Sequence, residues 1–182
     1  MAVYDLCRYV ESDGSISPSL LDKVVDDTKE GLGIKKPHAA FDRKLCLDID
    51  QFSSGSFVTY WSGIPKRGII RFMQSVIRVP SHLMLPCYET NEYIDLGGKS
   101  PRALVSIESL TVKRAQDLTP LELTLDGFHD LSDMIEHMRR NPHYAGLHEN
   151  SPVSFYLFGD VKFNPSQGEL DTFFSRRNST RV

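Results

Sequence analysis

The clearest hydrophobic patterning in the chain runs from Arg102 to Gly159 and predicts a strand, two helices and a second strand. In RALVSIESLTV, Ala103, Val105 and Ile107 alternate with Leu104, Ser106 and Glu108, the period of two expected of a strand. DLTPLEL then spells out a helix start. Thr119 takes the N-cap, Pro120 the first helical position, and Glu122 sits three residues on, within reach of the cap amide. A second helix is predicted in HDLSDMIEHMRRNP. Asp130 caps it, and Leu131, Met134, Ile135 and Met138 recur at helical spacing as one apolar stripe. Arg139 and Arg140 offset the negative end of its dipole before Pro142. The unit closes on SPVSFYLFG, a strand with Val153, Phe155 and Leu157 on one face.

Upstream, SPSLLDKVVDDTKEGLG predicts a helix capped by Ser17 or Ser19, with Leu20, Leu21, Val24 and Val25 as a short apolar face and an end between Thr28 and Gly33. Pro37 marks a loop. KLCLDIDQF alternates Leu45, Leu47 and Ile49 with Cys46, Asp48 and Asp50, a half-buried strand. SSGS at 53–56 reads as a turn, FVTYW as a strand, GIPKRG as a loop or bulge, and IIRFMQSVIRV as a strand or strand pair. Pro80 and Pro86 bracket a further loop, and NEYIDL runs into the Gly97-Gly98 turn. SRRNSTRV at the end has no apolar periodicity and reads as a frayed basic tail.

Composition narrows the function classes. With 182 residues, 40% hydrophobic and 25% charged, the chain suits one soluble globular domain, or one domain with an extension. No apolar run approaches the roughly 20 residues of a membrane span. Asp5 and Glu11 interrupt the first residues where a signal peptide needs a basic start and an apolar core, so the expected location is the cytoplasm. Three cysteines, Cys7, Cys46 and Cys87, are odd in number and far apart, against a disulfide framework or zinc knuckle. A formal charge of -3 gives no global attraction to nucleic acid, so any such site has to be a local patch. His129, His137, His143 and His148 fall in one region, but none is paired at i, i+4 and no cysteine is near, so no metal is expected. There is no nucleophile elbow, Walker loop or dinucleotide fingerprint, and no cofactor is implied.

The run IESLTVKRAQDLTPLELTLDGFHDLSDMIEHM followed by PVSFYLF resembles the second half of an ASCH domain, a member of the PUA-like superfamily. Asp117-Leu118-Thr119 and Asp126-Gly127-Phe128 carry the likeness, which covers about a third of the chain and is not seen before about residue 50. The resemblance implies an α+β fold. From about residue 42 a mostly antiparallel β-barrel of five or six strands is expected, with the helix pair inserted between strands 103–112 and 152–158. The domain reading is a partly helical N-terminal extension over 1–41, the ASCH or PUA-like barrel over 42–174, and a flexible basic tail over 175–182.

The resemblance also directs attention to GIPKRGIIRF. ASCH domains carry a Gly, then a Lys, an acidic or hydroxyl residue three further on, and an Arg two beyond. Gly63, Lys66 and Arg71 fall on that pattern, with Ile69 in the place of the polar residue and a longer gap between Gly63 and Lys66. A Lys and an Arg five apart on a bulged strand can face one cleft, where an ammonium and a planar guanidinium suit a phosphate and a base edge; they can equally be solvated charges beside buried Ile69 and Ile70. Arg67 lies between them. Tyr60 and Trp61 precede the loop, and Tyr88 and Tyr93 follow it, as faces on which a base could stack, although Trp61 can equally fill a core. ASCH-type amidohydrolases carry a catalytic Glu on a barrel strand. The resemblance implies that role for Glu108 with Lys66 as its partner, while alternation places Glu108 on the face opposite Val105 and Ile107. Ile69 removes the polar group that chemistry needs, and nothing in the spacing of Thr59 and Ser62 shows that either replaces it. Three readings follow: a module binding RNA or a modified nucleoside or nucleotide, an ASCH-type hydrolase acting on N-acyl nucleosides or on RNA, and a protein-interaction domain using residues 1–50.

Overall fold

The computed structural model describes residues 1–32, 37–42, 45, 47–48, 52–53, 56–57, 66–73, 76–88 and 100–179. Along them run β1 (Ala2–Asp5), α1 (Pro18–Gly31), β2 (His38–Asp42), β3 (Leu47–Asp48), β4 (Phe52–Ser53), β5 (Ser56–Phe57), β6 (Gly68–Phe72), β7 (Val76–Pro80), β8 (Met84–Tyr88) and β9 (Ala103–Arg114). After these come α2 (Pro120–Asp126), α3 (Leu131–Arg139), β10 (Pro152–Phe163) and α4 (Gln167–Ser179). The chain is therefore α+β. Its central sheet has the order β3-β8-β9-β10-β6. One edge of β9 is shared end to end: β8 pairs with residues 103–106 and β1 with 109–112, while β10 follows the whole of the other edge. These pairings are antiparallel, whereas β3–β8 and the separate pair β2–β7 are parallel.

The helix-pair unit forms as its local chemistry requires. Thr119 accepts from the Glu122 amide, and the Glu122 carboxylate accepts from the Thr119 amide at 2.7 Å, closing the capping box of α2. Asp130 accepts from the Asp133 amide at 2.9 Å to cap α3, which buries Met134, Ile135 and Met138. The flanking strands β9 and β10 pair directly along twelve residues each, so the two helices are an insertion between neighbouring strands.

Simple alternation does not hold along β9. A register shift between Leu157/Phe158 and a second between Phe158/Val161 reverse the phase of both strands. Ala103, Val105 and Ile107 before the shift, and Leu110 and Val112 after it, consequently share one core. Gly159 sits in this bulge: a Cβ there would lie 2.7 Å from Ser106 Oγ, and only glycine leaves the room.

Both faces of the sheet are covered. On one, α1 contributes Leu20 and Val24 to a core with Tyr4, Leu6, Ile77 and Tyr156. On the other, α2 and α3 bring Leu123, Met134 and Met138 onto Ile70, Val153 and Phe155, and α4 lays Leu170 and Phe173 on Leu104. Among the described residues the sheet stays open. Its two end strands, β3 and β6, do not pair with each other, and a sheet buried by helices on both faces has no need to close. The closed barrel expected from the sequence is absent from this part of the chain.

Three further expectations meet their physical outcome here. The stretch read as an N-terminal extension supplies β1, which pairs Ala2–Asp5 with Val112–Ser109, and α1, capped by Ser17 with Pro18 in its first turn. Pro86, expected to end a loop, lies inside β8 opposite Leu104. The Ile107 amide of β9 donates to the Leu83 carbonyl, so in this register the odd positions of β8 bond toward β9 and Pro86, which lacks an N–H, falls where the backbone points away. The tail read as frayed from residue 175 is helical to Ser179, continuing the helix that Leu170 and Phe173 anchor.

Candidate ligand site at the edge of the sheet

Strand β6 is an edge strand among the described residues, and its free edge carries the candidate site. The Phe158 amide donates to the Arg67 carbonyl, so in this register residues 69 and 71 bond toward β10 and the Ile70 N–H points outward. Asp126 meets it. One carboxylate oxygen accepts from the Ile70 amide at 2.8 Å, and the other pairs with Lys66 Nζ at 2.9 Å. Both side chains are withdrawn from water, Lys66 10% and Asp126 6% exposed.

The Asp126-Gly127-Phe128 sequence explains how the carboxylate arrives there. Asp126 is the last residue of α2, and Gly127 follows with φ 101°, a left-handed conformation in which a Cβ would be strained. Phe128 then turns back to pack against the core beneath α2 and α3. The Arg67 amide donates to the Leu125 carbonyl at 3.0 Å, which ties the end of the helix to the strand. A carboxylate at a helix C-terminus faces the negative end of the dipole, and here Lys66 and Arg71 offset it. Burial pushes the Asp126 carboxyl above the usual carboxylate range, against the downward pull of Lys66, the Ile70 amide and Arg71.

Arg71 is largely buried. Burial opposes its charge, but the Tyr144 hydroxyl and the nearby Asp126 carboxylate hold the guanidinium firmly ionised. Its Nε is buried without a hydrogen-bond partner among the described residues, a donor left over next to an ion pair. Arg67 between them is exposed. Ile69 is half-buried against the core on the α1 side and offers no polar group.

A second buried pair lies nearby and was not among the sequence candidates. Lys113, 2% exposed, donates to both Glu122 carboxylate oxygens at 2.8 and 2.7 Å and to the Asp117 carbonyl at 3.2 Å. The capping-box glutamate thus also serves as the counter-ion of a strand lysine. Burial would raise the Glu122 carboxyl, but the Lys113 and Thr119 hydrogen bonds outweigh it and hold it below its ordinary range. Alternation from Ala103, Val105 and Ile107 would put Lys113 on their face, and only the reversal of phase in β9 carries it to the face that α2 and α3 cover.

The remaining sequence candidates fall as follows. Glu108 is exposed, at the bulge opposite Gly159, and no ion pair joins it to Lys66 among the described residues. Tyr88 is buried. Tyr60, Trp61, Thr59, Ser62, Gly63 and Tyr93 lie outside the described residues. His129, His137, His143 and His148 are all exposed, and no group of three or more metal-ligating side chains occurs among the described residues. None of the described helices is long and apolar enough to cross a membrane. The chain matches no family model, no curated protein and no solved structure.

Proposed function

We propose that this chain is a cytoplasmic binding domain for RNA, or for a modified nucleoside or nucleotide, on an open variant of the PUA-like ASCH fold. The observation that carries the reading is the convergence of Lys66 and Arg71 on one carboxylate at the free edge of β6, with exposed Arg67 beside them and the Arg71 Nε unpartnered. Among the described residues, Lys66, Arg67 and Arg71 gather positive charge at this edge in a chain that is acidic overall. A phosphate oxygen is the group that would use it. Tyr60 and Trp61, just before Lys66 in the sequence, would supply the stacking face.

A hydrolase reading fits less well. An N-acyl nucleoside hydrolase needs a base to activate water and a donor for the oxyanion. Lys66 already spends its ammonium on Asp126, and Glu108 stands exposed without a charged partner among the described residues.

The test is the salt dependence of single-stranded RNA binding. Arg67→Ala and Arg71→Lys should each weaken binding, and Arg67→Ala should lower the salt slope by about 0.7 if that side chain contacts one phosphate. Unchanged affinity and slope in both variants, with the fold intact, would put the ligand elsewhere. Lys66→Ala is the poorer probe, because it strands a buried carboxylate.

A further inference from the structure

We propose that the groove between α3 and the turn at 148–150 binds the carboxylate end of an amino acid or peptide that has an aliphatic side chain and a cationic amine. The groove is open to solvent along its length and has a volume of about 620 Å³. It shares no residue with the β6 edge, so this inference stands independently of the function proposed above.

One wall is a helical row. Leu131, Ile135 and Arg139 follow at i, i+4 and i+8, an aliphatic strip about 12 Å long ending in a guanidinium. Arg139 Nε donates to the Leu147 carbonyl at 2.7 Å, which fixes the side chain across the end of the groove. Its two terminal nitrogens make no ion pair among the described residues. They are a fork of parallel donors, the geometry that grips a carboxylate at both oxygens.

The opposite wall is held in place before any ligand arrives. The His148 amide donates to Ser151 Oγ at 2.9 Å, and the Gln116 amide donates to the Glu149 carbonyl at 2.8 Å. The Asn150 amide donates to His148 Nδ1 at 3.2 Å, so the neutral ring carries its proton on Nε2, a further donor for an anion. Glu149 is exposed and its carboxylate has no partner among the described residues, which leaves it available to an ammonium. Asp130, at the other end, is already engaged by the Asp133 amide and His129. A cationic fork, a free carboxylate and an aliphatic floor complement a zwitterion. A polyphosphate would meet Glu149 and Asp130 as like charges.

The experiment is an amide-resolved NMR titration of the full chain with lysyl-leucine, its C-terminal amide, free leucine and N-acetyl-leucine. Lysyl-leucine should shift residues 131–139 and 148–150, and amidation should weaken binding at least about tenfold. Arg139→Lys keeps one donor for the Leu147 carbonyl but loses the fork, and should weaken the free-carboxylate ligands to a similar degree. Glu149→Gln should weaken lysyl-leucine while sparing N-acetyl-leucine. Tighter binding of the dipeptide than of leucine identifies a peptide end as the source, and similar affinities identify a free amino acid. Equal binding of acid and amide, or no shifts up to about 10 mM ligand, would overturn the proposal.

Discussion

A buried ammonium is tolerated only when its donors are used, and Lys113 places all three on Glu122 and the Asp117 carbonyl. Glu122→Gln removes the charge partner while the lysine stays buried. We expect a loss of about 3–5 kcal/mol at neutral pH, read from urea unfolding. The pH dependence follows from the lowered Glu122 carboxyl. Its folded value lies below the unfolded value of about 4.3, so its stabilisation is complete above that pH and is lost as pH falls through the lower folded value. The gap between wild type and Glu122→Gln should therefore narrow on acidification; a gap unchanged down to about pH 2 would contradict the assignment. At the same scale, the engaged ammonium of Lys66 and the exposed carboxylate of Glu108 predict no turnover of N-acyl nucleosides above background. Product formation abolished by Lys66→Ala, with the variant still folded, would restore the hydrolase.

At the scale of elements, what could be read in advance was local. Thr119, Glu122 and Asp130 act on amides three residues away and Pro120 fixes φ at the first helical position, and such signals survive without knowledge of the fold. Thr119→Ala should accordingly cost about 1 kcal/mol. The bulges of β9 and β10 depend on how two strands fifty residues apart meet; in sequence β9 shows only Glu108 and Ser109 in succession between Ile107 and Leu110, which does not say how the partner strand accommodates the change of phase. The same holds for Asp126. In sequence it is one residue of an Asp-Gly-Phe turn, and only the approach of α2 to β6 turns it into the partner of Lys66 and the Ile70 amide. Gly68 is a further product of close packing. A Cβ there would lie 2.3 Å from the Phe155 ring, so Gly68→Ala should destabilise by about 1–3 kcal/mol through overpacking; thermal unfolding indistinguishable from wild type would show that β6 can move aside.

At the scale of the whole molecule, the first thirty residues belong to the same core as the strands that follow. Tyr4, Leu6, Ile16, Leu20 and Val24 are buried with Ile107, Leu110 and Tyr156, and β1 covers the edge of β9 that β8 leaves open. A chain starting after α1 would expose that core and an unpaired strand edge. We expect it to lose cooperative unfolding, and a sharp thermal transition close to the full-length midpoint would refute this. The arrangement leaves β6 as the edge at which two cations gather, and the account stands or falls there. The most direct measurement is a thermal-shift titration of the full chain with nucleosides, nucleotides and short single-stranded RNAs, in wild type and in the Arg67→Ala, Arg71→Lys double variant. A ligand held by the folded state adds about 2.7 kcal/mol at one hundred times its dissociation constant, a rise of several degrees that the double variant should largely lose. A midpoint unmoved by every ligand of this class, or raised equally in the double variant, would contradict a nucleotide-binding edge.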